Sequence, residues 1–340
     1  MKLWKKAGVL VLALALTLAL ASCGQQETQT QETEETPAAH YNVAALKGPT
    51  AMGLVKLMHD AESGAELTND YTFTLAASAD EVSPKLMQGE LDIACVPANL
   101  AAVLYQKTGG EIVTLGINTL GVLYIVENGN AVTSMADLAG KTIVASGKGS
   151  TPEYALRYLL RENGVDPDGG VVIDWKSEHS ECVSALATGA ATIAMLPQPF
   201  VTVAQSKLQD LRVALDLTEE WDALDNGSAL LTGVVVARKD VVEENPAAID
   251  AFLADYAQSV EWVNANTADA AALIGDYGIV DAAVAEKALP ACNIVCITGA
   301  EMKEKLSGYL QVLFEEDHSS VGAQAGDDAG LPGDDFYYGA

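Results

Sequence analysis

The chain has 340 residues, a formal charge of −28, 49% apolar residues and 5 cysteines. That length exceeds one ordinary hydrophobic core and predicts two lobes. The charge excludes a nucleic-acid or anionic-lipid surface, because phosphate binding depends on Lys and Arg. So few cysteines in so long a chain exclude a disulfide-built domain.

Lys2, Lys5 and Lys6 precede an apolar run, Gly8 to Ala19, broken only by Thr17. The run is short for a membrane span and suits the core of a signal peptide. It closes on Leu20-Ala21-Ser22-Cys23, where small residues before a cysteine resemble the lipobox of bacterial lipoproteins. That resemblance implies a signal peptide over 1–22, cleavage before Cys23 and a lipid on its thiol. Cleavage removes three lysines and no acid, taking the charge from −28 to about −31. The lipid, rather than a basic patch, must then hold the chain on a membrane. Residues 23–39, rich in Gln, Thr and Glu, read as the lipidated cysteine and a disordered tether.

From Tyr41 strands alternate with helices. Tyr41–Leu46 reads as a strand, Lys47-Gly48-Pro49-Thr50 as a turn, and the stretch through Met58 as a helix. Tyr71–Ala76 is a strand followed by a helix from about Glu81. Asp92–Val96 is a buried strand, and Pro97-Ala98-Asn99 opens a helix to Gln106. Glu111–Ile117 and Leu123–Glu127 are strands, and the turn chemistry of Glu127-Asn128-Gly129-Asn130 ends the series. A second series has strands at Thr142–Ala145, Val171–Trp175 and Thr192–Leu196, with helices over Glu153–Asn163, from Glu178 to Thr188 and after Pro197-Gln198-Pro199. Gly233–Ala237 is a strand that leads the chain back. Helices over Pro246–Asn264, Ala268–Gly275, Asp281–Leu289 and Glu301–Phe314 follow, then a Gly- and Asp-rich tail that is either loose or packed by Phe336-Tyr337-Tyr338. Strands spaced by helices predict parallel sheets flanked by helices, hence an α/β fold.

In open α/β sheets ligands bind beyond the carboxyl ends of the strands, so the informative residues follow each strand. Unpaired N–H groups at the helix starts there favour an anion or a polar acceptor. Gly147-Lys148-Gly149-Ser150-Thr151-Pro152 combines close backbone approach, a helix cap and a positive charge. Lys47, Gly48, Pro49 and Thr50 form the matching turn of the first series. Ser78, Pro97 and Asn99 end later strands, and Asn99 both donates and accepts. Trp175 offers a stacking ring and His179 a donor, Gln198 a polar probe and Tyr124 a wall or hinge contact. No paired-carboxylate motif, His pair or Gly-x-Ser-x-Gly elbow occurs, so neither a catalytic nor a metal site is expected. Cys95 reads as a buried thiol. Cys292 and Cys296 are open to a disulfide, but their spacing and the lack of nearby His argue against a metal.

Leu46-Lys47-Gly48-Pro49-Thr50, Gly89-Glu90-Leu91-Asp92-Ile93-Ala94, Gly147 to Tyr154 and Met195-Leu196-Pro197-Gln198-Pro199, in that order after a lipobox, resemble bacterial ABC-transporter substrate-binding lipoproteins. The similarity is greatest to the branch of nitrate, sulfonate, taurine and thiamine-precursor binders. It implies a two-lobed periplasmic-binding-protein-like fold of type 2, each lobe a mostly parallel sheet flanked by helices, with two crossover strands as the hinge. On that pattern 40–127 plus 238–340 form lobe 1 and 128–237 form lobe 2. The cleft captures a small-molecule solute: a sulfonate, another small anion or a pyrimidine-like compound. The closed form docks on an ABC permease in the membrane. The chain is expected to be a monomer without cofactor or nucleic-acid partner, placed outside the cytoplasm. The cysteine-rich motif of the enzymatic relatives that make a pyrimidine precursor is missing, so no enzyme is expected. The rival readings are a ligand sensor for a membrane kinase and a secreted enzyme using His179.

Overall fold

A computed structural model describes residues 38–323 and 330–340. The expected signal peptide, Cys23 and all of the tether but its last two residues lie outside these. The elements run β1 (His40–Leu46), α1 (Pro49–Met52), α2 (Val55–Ser63), β2 (Asp70–Ala76), α3 (Ala79–Gln88), β3 (Ile93–Pro97), α4 (Ala98–Thr108), β4 (Ile112–Leu120) and β5 (Leu123–Glu127). Then come β6 (Thr142–Ser146), α5 (Thr151–Glu162), β7 (Val172–Lys176), α6 (His179–Ala187), β8 (Ile193–Pro197), α7 (Phe200–Lys207), β9 (Arg212–Asp216) and α8 (Leu217–Asp222). The chain ends with β10 (Leu231–Arg238), α9 (Lys239–Glu244), α10 (Pro246–Ala265), α11 (Thr267–Asp276), α12 (Ala282–Ala288), β11 (Ile294–Ile297) and α13 (Gly299–Glu316).

Two mixed sheets form. The first has the order β11-β4-β10-β3-β1-β2 and the second β7-β6-β8-β5-β9. In the first, β1 pairs parallel with β2 and β3, while β10 runs antiparallel between β3 and β4. In the second, β6 pairs parallel with β7 and β8, and β5 runs antiparallel between β8 and β9. The central strands are covered by helices on both faces, so β3 (IACVP), β5 (LYIVE) and β8 (IAMLP) are apolar almost without interruption. At the edge of the first sheet β2 instead alternates between exposed and half-buried positions.

The chain passes between the sheets twice, at Gly121-Val122 from β4 to β5 and after α8 into β10. This moves both expected lobe boundaries. Leu123–Glu127 belongs to the second lobe, where Leu123 faces Pro197 of β8 and Tyr124 faces Asp216 of β9. The Gly233–Ala237 segment belongs to the first lobe, where Gly233 faces Pro97. Gly121 suits the passage because a Cβ there would meet the Thr218 hydroxyl at 2.2 Å. One hydrophobic cluster runs across both lobes, from Ala44 and Val96 of the first sheet to Ile143 and Met195 of the second. Tyr309, Leu310 and Leu313 of α13 are fully buried within it.

The four described cysteines are free; Cys95, Cys182 and Cys292 are buried and Cys296 is partly so. Cys95 is a buried thiol, pushed up to about 12 by desolvation. Cys292 and Cys296 therefore form no bridge. The end of the tail is packed: Phe336 is fully buried with its ring 5.2 Å from that of Tyr105, and the Tyr338 N–H donates to Thr114. Phe336→Ala should cost about 3–5 kcal/mol by the cavity it leaves. Urea denaturation measures this, and a loss below about 1 kcal/mol would contradict a seated tail.

Candidate functional site

The parallel strands of both sheets end on the same side, where the two crossings also lie, so their carboxyl ends face one another across a cleft. In the first lobe the turn after β1 has Gly48 at φ 139°, with no atom within 4 Å of where a Cβ would stand. Pro49 sits in the first turn of α1. Thr50 is buried, donates to the Leu46 carbonyl at 2.9 Å, and accepts at its own carbonyl from Asn118 Nδ2 at 3.3 Å. Gly233 makes this packing possible: a Cβ there would stand 2.4 Å from Thr50 and 2.5 Å from Asn118. After β3, Pro97 leads to Asn99, which is 8% exposed and donates to the Ser320 carbonyl at 3.2 Å.

In the second lobe Gly147 and Gly149 adopt φ 85° and 77° in the turn after β6, and the Ser150 hydroxyl donates to the Gly147 carbonyl at 2.7 Å. Thr151, 6% exposed at the start of α5, reaches across to the first lobe. Its hydroxyl donates to Asn99 Oδ1 at 3.5 Å, the outer limit for such a bond, and accepts from Tyr309 of α13 at 3.2 Å. On the other face of the second sheet the Tyr124 hydroxyl, held neutral by burial and by the charge of Asp216, donates to the Ala291 carbonyl at 3.0 Å. Gln198, 6% exposed after β8, accepts at Oε1 from the N–H and hydroxyl of Thr202 at 3.4 and 3.0 Å.

His179 opens α6 with its Nδ1 on the hydroxyl of buried Ser146 and its ring 5.0 Å from that of Phe200. Desolvation lowers its pKa, so the imidazole is neutral and presents its other nitrogen. Ser146, which ends β6, lies one residue before the turn to which sequence reasoning points. Asn118, Thr202 and Tyr309 are further polar residues that local patterning misses. Tyr309 is 158 positions from its partner, and the amphipathic helix bearing it gives no local sign of that contact.

Thus Thr50, Pro97, Asn99, Thr151 and Gln198 stand at the facing strand ends, and four of these five side chains are buried polar groups. The other candidates point elsewhere. Lys47 is exposed and donates to the Gly278 carbonyl at 3.0 Å. Lys148 lies in a groove at the flank with Glu153, Arg157, Glu316 and Asp317. Ser78 is exposed and donates to Glu81. Trp175 is half-buried against the shared hydrophobic cluster. Among the described residues no group of three or more His, Cys, Asp or Glu side chains is placed to hold a metal ion.

Residues 64–288, more than half of the chain, match the family model for the periplasmic phosphonate substrate-binding protein of ABC transporters. The chain belongs to this family of ABC-transporter substrate-binding proteins, and its fold is the two-lobed one of periplasmic binding proteins. An ABC transporter from Parabacteroides distasonis shares the fold at 22% identity and TM-score 0.72, over 86% of this chain and 99% of that one. The periplasmic aliphatic sulphonate binding protein SsuA from Escherichia coli does so at 18% identity and TM-score 0.65, over 81% and 87%. A zinc-bound ligand-binding component of an ABC-type import system from Staphylococcus aureus aligns at 14% identity and TM-score 0.63, over 88% and 98%. Comparison with curated proteins gives no match. The expected family and fold are thereby found.

Because folding depresses the His179 pKa, the unfolded chain takes up this proton first as pH falls. The stability tied to neutral His179 is present above the unfolded pKa and lost as pH drops through the window beneath it. The melting-temperature difference between wild type and His179→Asn should therefore shrink from about pH 7.5 to about pH 5. A difference constant over that range would contradict the assignment.

Proposed function

We propose that the chain is the lipid-anchored solute receptor of an ABC importer, binding a small polar molecule in the cleft and presenting the closed form to a membrane permease. The observation that carries this reading is that buried, uncharged polar side chains of both lobes stand at the facing strand ends, Thr50 and Asn99 from one, Thr151 and Gln198 from the other, with Thr151 bonded across to Asn99. Water-excluded polar groups at a lobe seam are costly unless something completes their hydrogen bonds. A solute touching both sides does so only when the lobes meet, which couples binding to closure. Moving the lobes from mostly open to mostly closed takes about 5.5 kcal/mol of differential binding. Several hydrogen bonds of about 0.5–1.5 kcal/mol each supply it.

The family description names phosphonate, and the Escherichia coli neighbour is named for aliphatic sulphonate. Both fit the general picture of a small polar cargo held at helix starts. In this reading the membrane anchor is Cys23, at the end of the lipobox-like Leu20-Ala21-Ser22-Cys23. The receptor works as a monomer and without a cofactor.

Isothermal titration of the mature chain against a panel of small polar solutes tests the receptor reading. A binder should raise the melting temperature, and Thr151→Val should weaken it about two- to tenfold by removing a lobe-to-lobe bond. Failure of every solute to bind would contradict the reading. Cys23→Ala should move the protein from the membrane to the soluble fraction on cell fractionation, and unchanged membrane retention would refute the lipid anchor.

A further inference from the structure

The two passages between the lobes are unlike one another. The first is the dipeptide Gly121-Val122, buried between β4 and β5. The second covers residues 223–230, between α8 and β10, and of these only Leu230 is buried. A short buried passage sets the axis of any swing between the lobes, while a longer exposed one follows it. The first passage is therefore the place to look for residues that govern the swing.

Backbone strain marks both passages. Among the described residues only Asp225 and Asn293 adopt a left-handed φ without being glycine, at 47° and 46°. Asn and Asp bear this conformation better than most side chains, yet it has a cost that the surroundings must impose. Asp225 lies within the second passage. Asn293 stands 172 positions beyond Gly121 in sequence and touches the first passage twice. Its carbonyl accepts from the Leu120 N–H at 3.1 Å, and its Nδ2 donates to the Gly121 carbonyl at 2.6 Å. Asn293 is itself fixed to the first lobe. Its neighbours Cys292 and Ile294 are buried in that lobe's core, and the Ile294 carbonyl accepts from Asn264 of α10 at 2.9 Å. Pairing of β11 with β4 does not need the Asn293 side chain, because Ile294 and Thr119 already supply it.

The next carbonyl along belongs to the other lobe. The Val122 carbonyl accepts from the backbone N–H of Gln198 at 2.9 Å, just after β8 of the second sheet. Adjacent carbonyls of one dipeptide are thus held by opposite lobes. Peptide planes are rigid, so between these two carbonyls only the φ and ψ of Val122 turn. Gly121, whose dihedrals are the most permissive in the passage, is taken out of the swing by the bond from Asn293.

We propose that Asn293 is the positioning residue of the hinge, tying the Gly121 carbonyl to the first lobe so that the lobes swing at Val122 alone. The purpose of this device, a defined path by which the lobes meet on a solute, rests on the receptor reading above. Its bonds involve no solute. Losing the Asn293 amide hands Gly121 back to the hinge, and the lobes then sample a wider set of orientations.

The test reads the lobe-to-lobe distance in the solute-free mature protein by pulsed dipolar spectroscopy. Spin labels go on cysteines placed at Met87 of the first lobe and Val172 of the second, which are 45% and 59% exposed. The background carries Cys23→Ala and Cys296→Ser, which leaves only the buried Cys95, Cys182 and Cys292 as native thiols. Asn293→Asp keeps the shape and the tolerance of a left-handed φ but sets a carboxylate against the Gly121 carbonyl. Asn293→Gly keeps the φ and the bond to Leu120 and removes the amide, and it decides alone if the Asp variant does not fold. Each should broaden the distance distribution roughly 1.4-fold, since four soft dihedrals then add where two did. Asp225→Gly, which removes strain but no side-chain hydrogen bond, should leave the width unchanged. Unchanged widths in the Asn293 variants, even with a lowered melting temperature, would make Asn293 a merely structural residue and overturn the proposal. Equal broadening in Asp225→Gly would overturn it too, by tracing the effect to strain at either passage. No solute enters the measurement, so a receptor reading lost for want of any binder leaves this result untouched.

Discussion

The organisation of the molecule depends on one constraint: buried polar groups at the seam of two lobes must find partners. Two sheets direct their parallel strands to a common line because the chain crosses between them only at that end, through Gly121-Val122 and again into β10. Each strand then releases its chain into a helix start, where hydrogen-bonding capacity is left over. Thr50, Asn99, Thr151 and Gln198 are all buried at these strand ends. The Asn99–Thr151–Tyr309 chain settles part of that demand, and Tyr124 on Ala291 settles more on the other face of the second sheet. Among the described residues the Gln198 Nε2 has no hydrogen-bond partner, while its Oε1 accepts from Thr202.

The same seam explains why α13 lies where it does. Tyr309 sits in the cluster shared by the lobes, 5.7 Å ring to ring from Trp221, and its hydroxyl is the partner of Thr151. A helix of the first lobe thus carries apolar and polar contacts to the second. The lobes then pack in a definite geometry rather than a continuum of orientations, because packed cores shift between discrete arrangements.

Much of this was legible in the residues. Turn chemistry after the strands pointed to Thr50, Asn99, Thr151 and Gln198, since Gly, Pro and small polar residues mark strand-to-helix turns whatever the tertiary context. The lobe boundary was not legible. An all-apolar run such as Leu123–Glu127 announces a strand buried on both faces, but nothing local says which sheet receives it. β9 and β11 escaped for a related reason. Arg212–Asp216 mixes charged and apolar residues, and Ile294–Ile297 is four residues long between helices, so neither carries a period that can be counted. The directions taken by Lys47 and Lys148 were also beyond reach. A lysine beside a glycine-rich turn suits an anion site, whereas here Lys47 bonds a distant carbonyl and Lys148 lines a groove with Glu153, Arg157, Glu316 and Asp317.

A crystal structure of the mature protein with the solute it retains on purification measures the central claim most directly. Solute density should lie between the two lobes, touching Thr50 or Asn99 on one side and Gln198 or His179 on the other, with the Gln198 Nε2 within about 3.2 Å of a solute acceptor. Density confined to one lobe, or seated in the flank groove beside Lys148 and Asp317 with the seam empty, would contradict it.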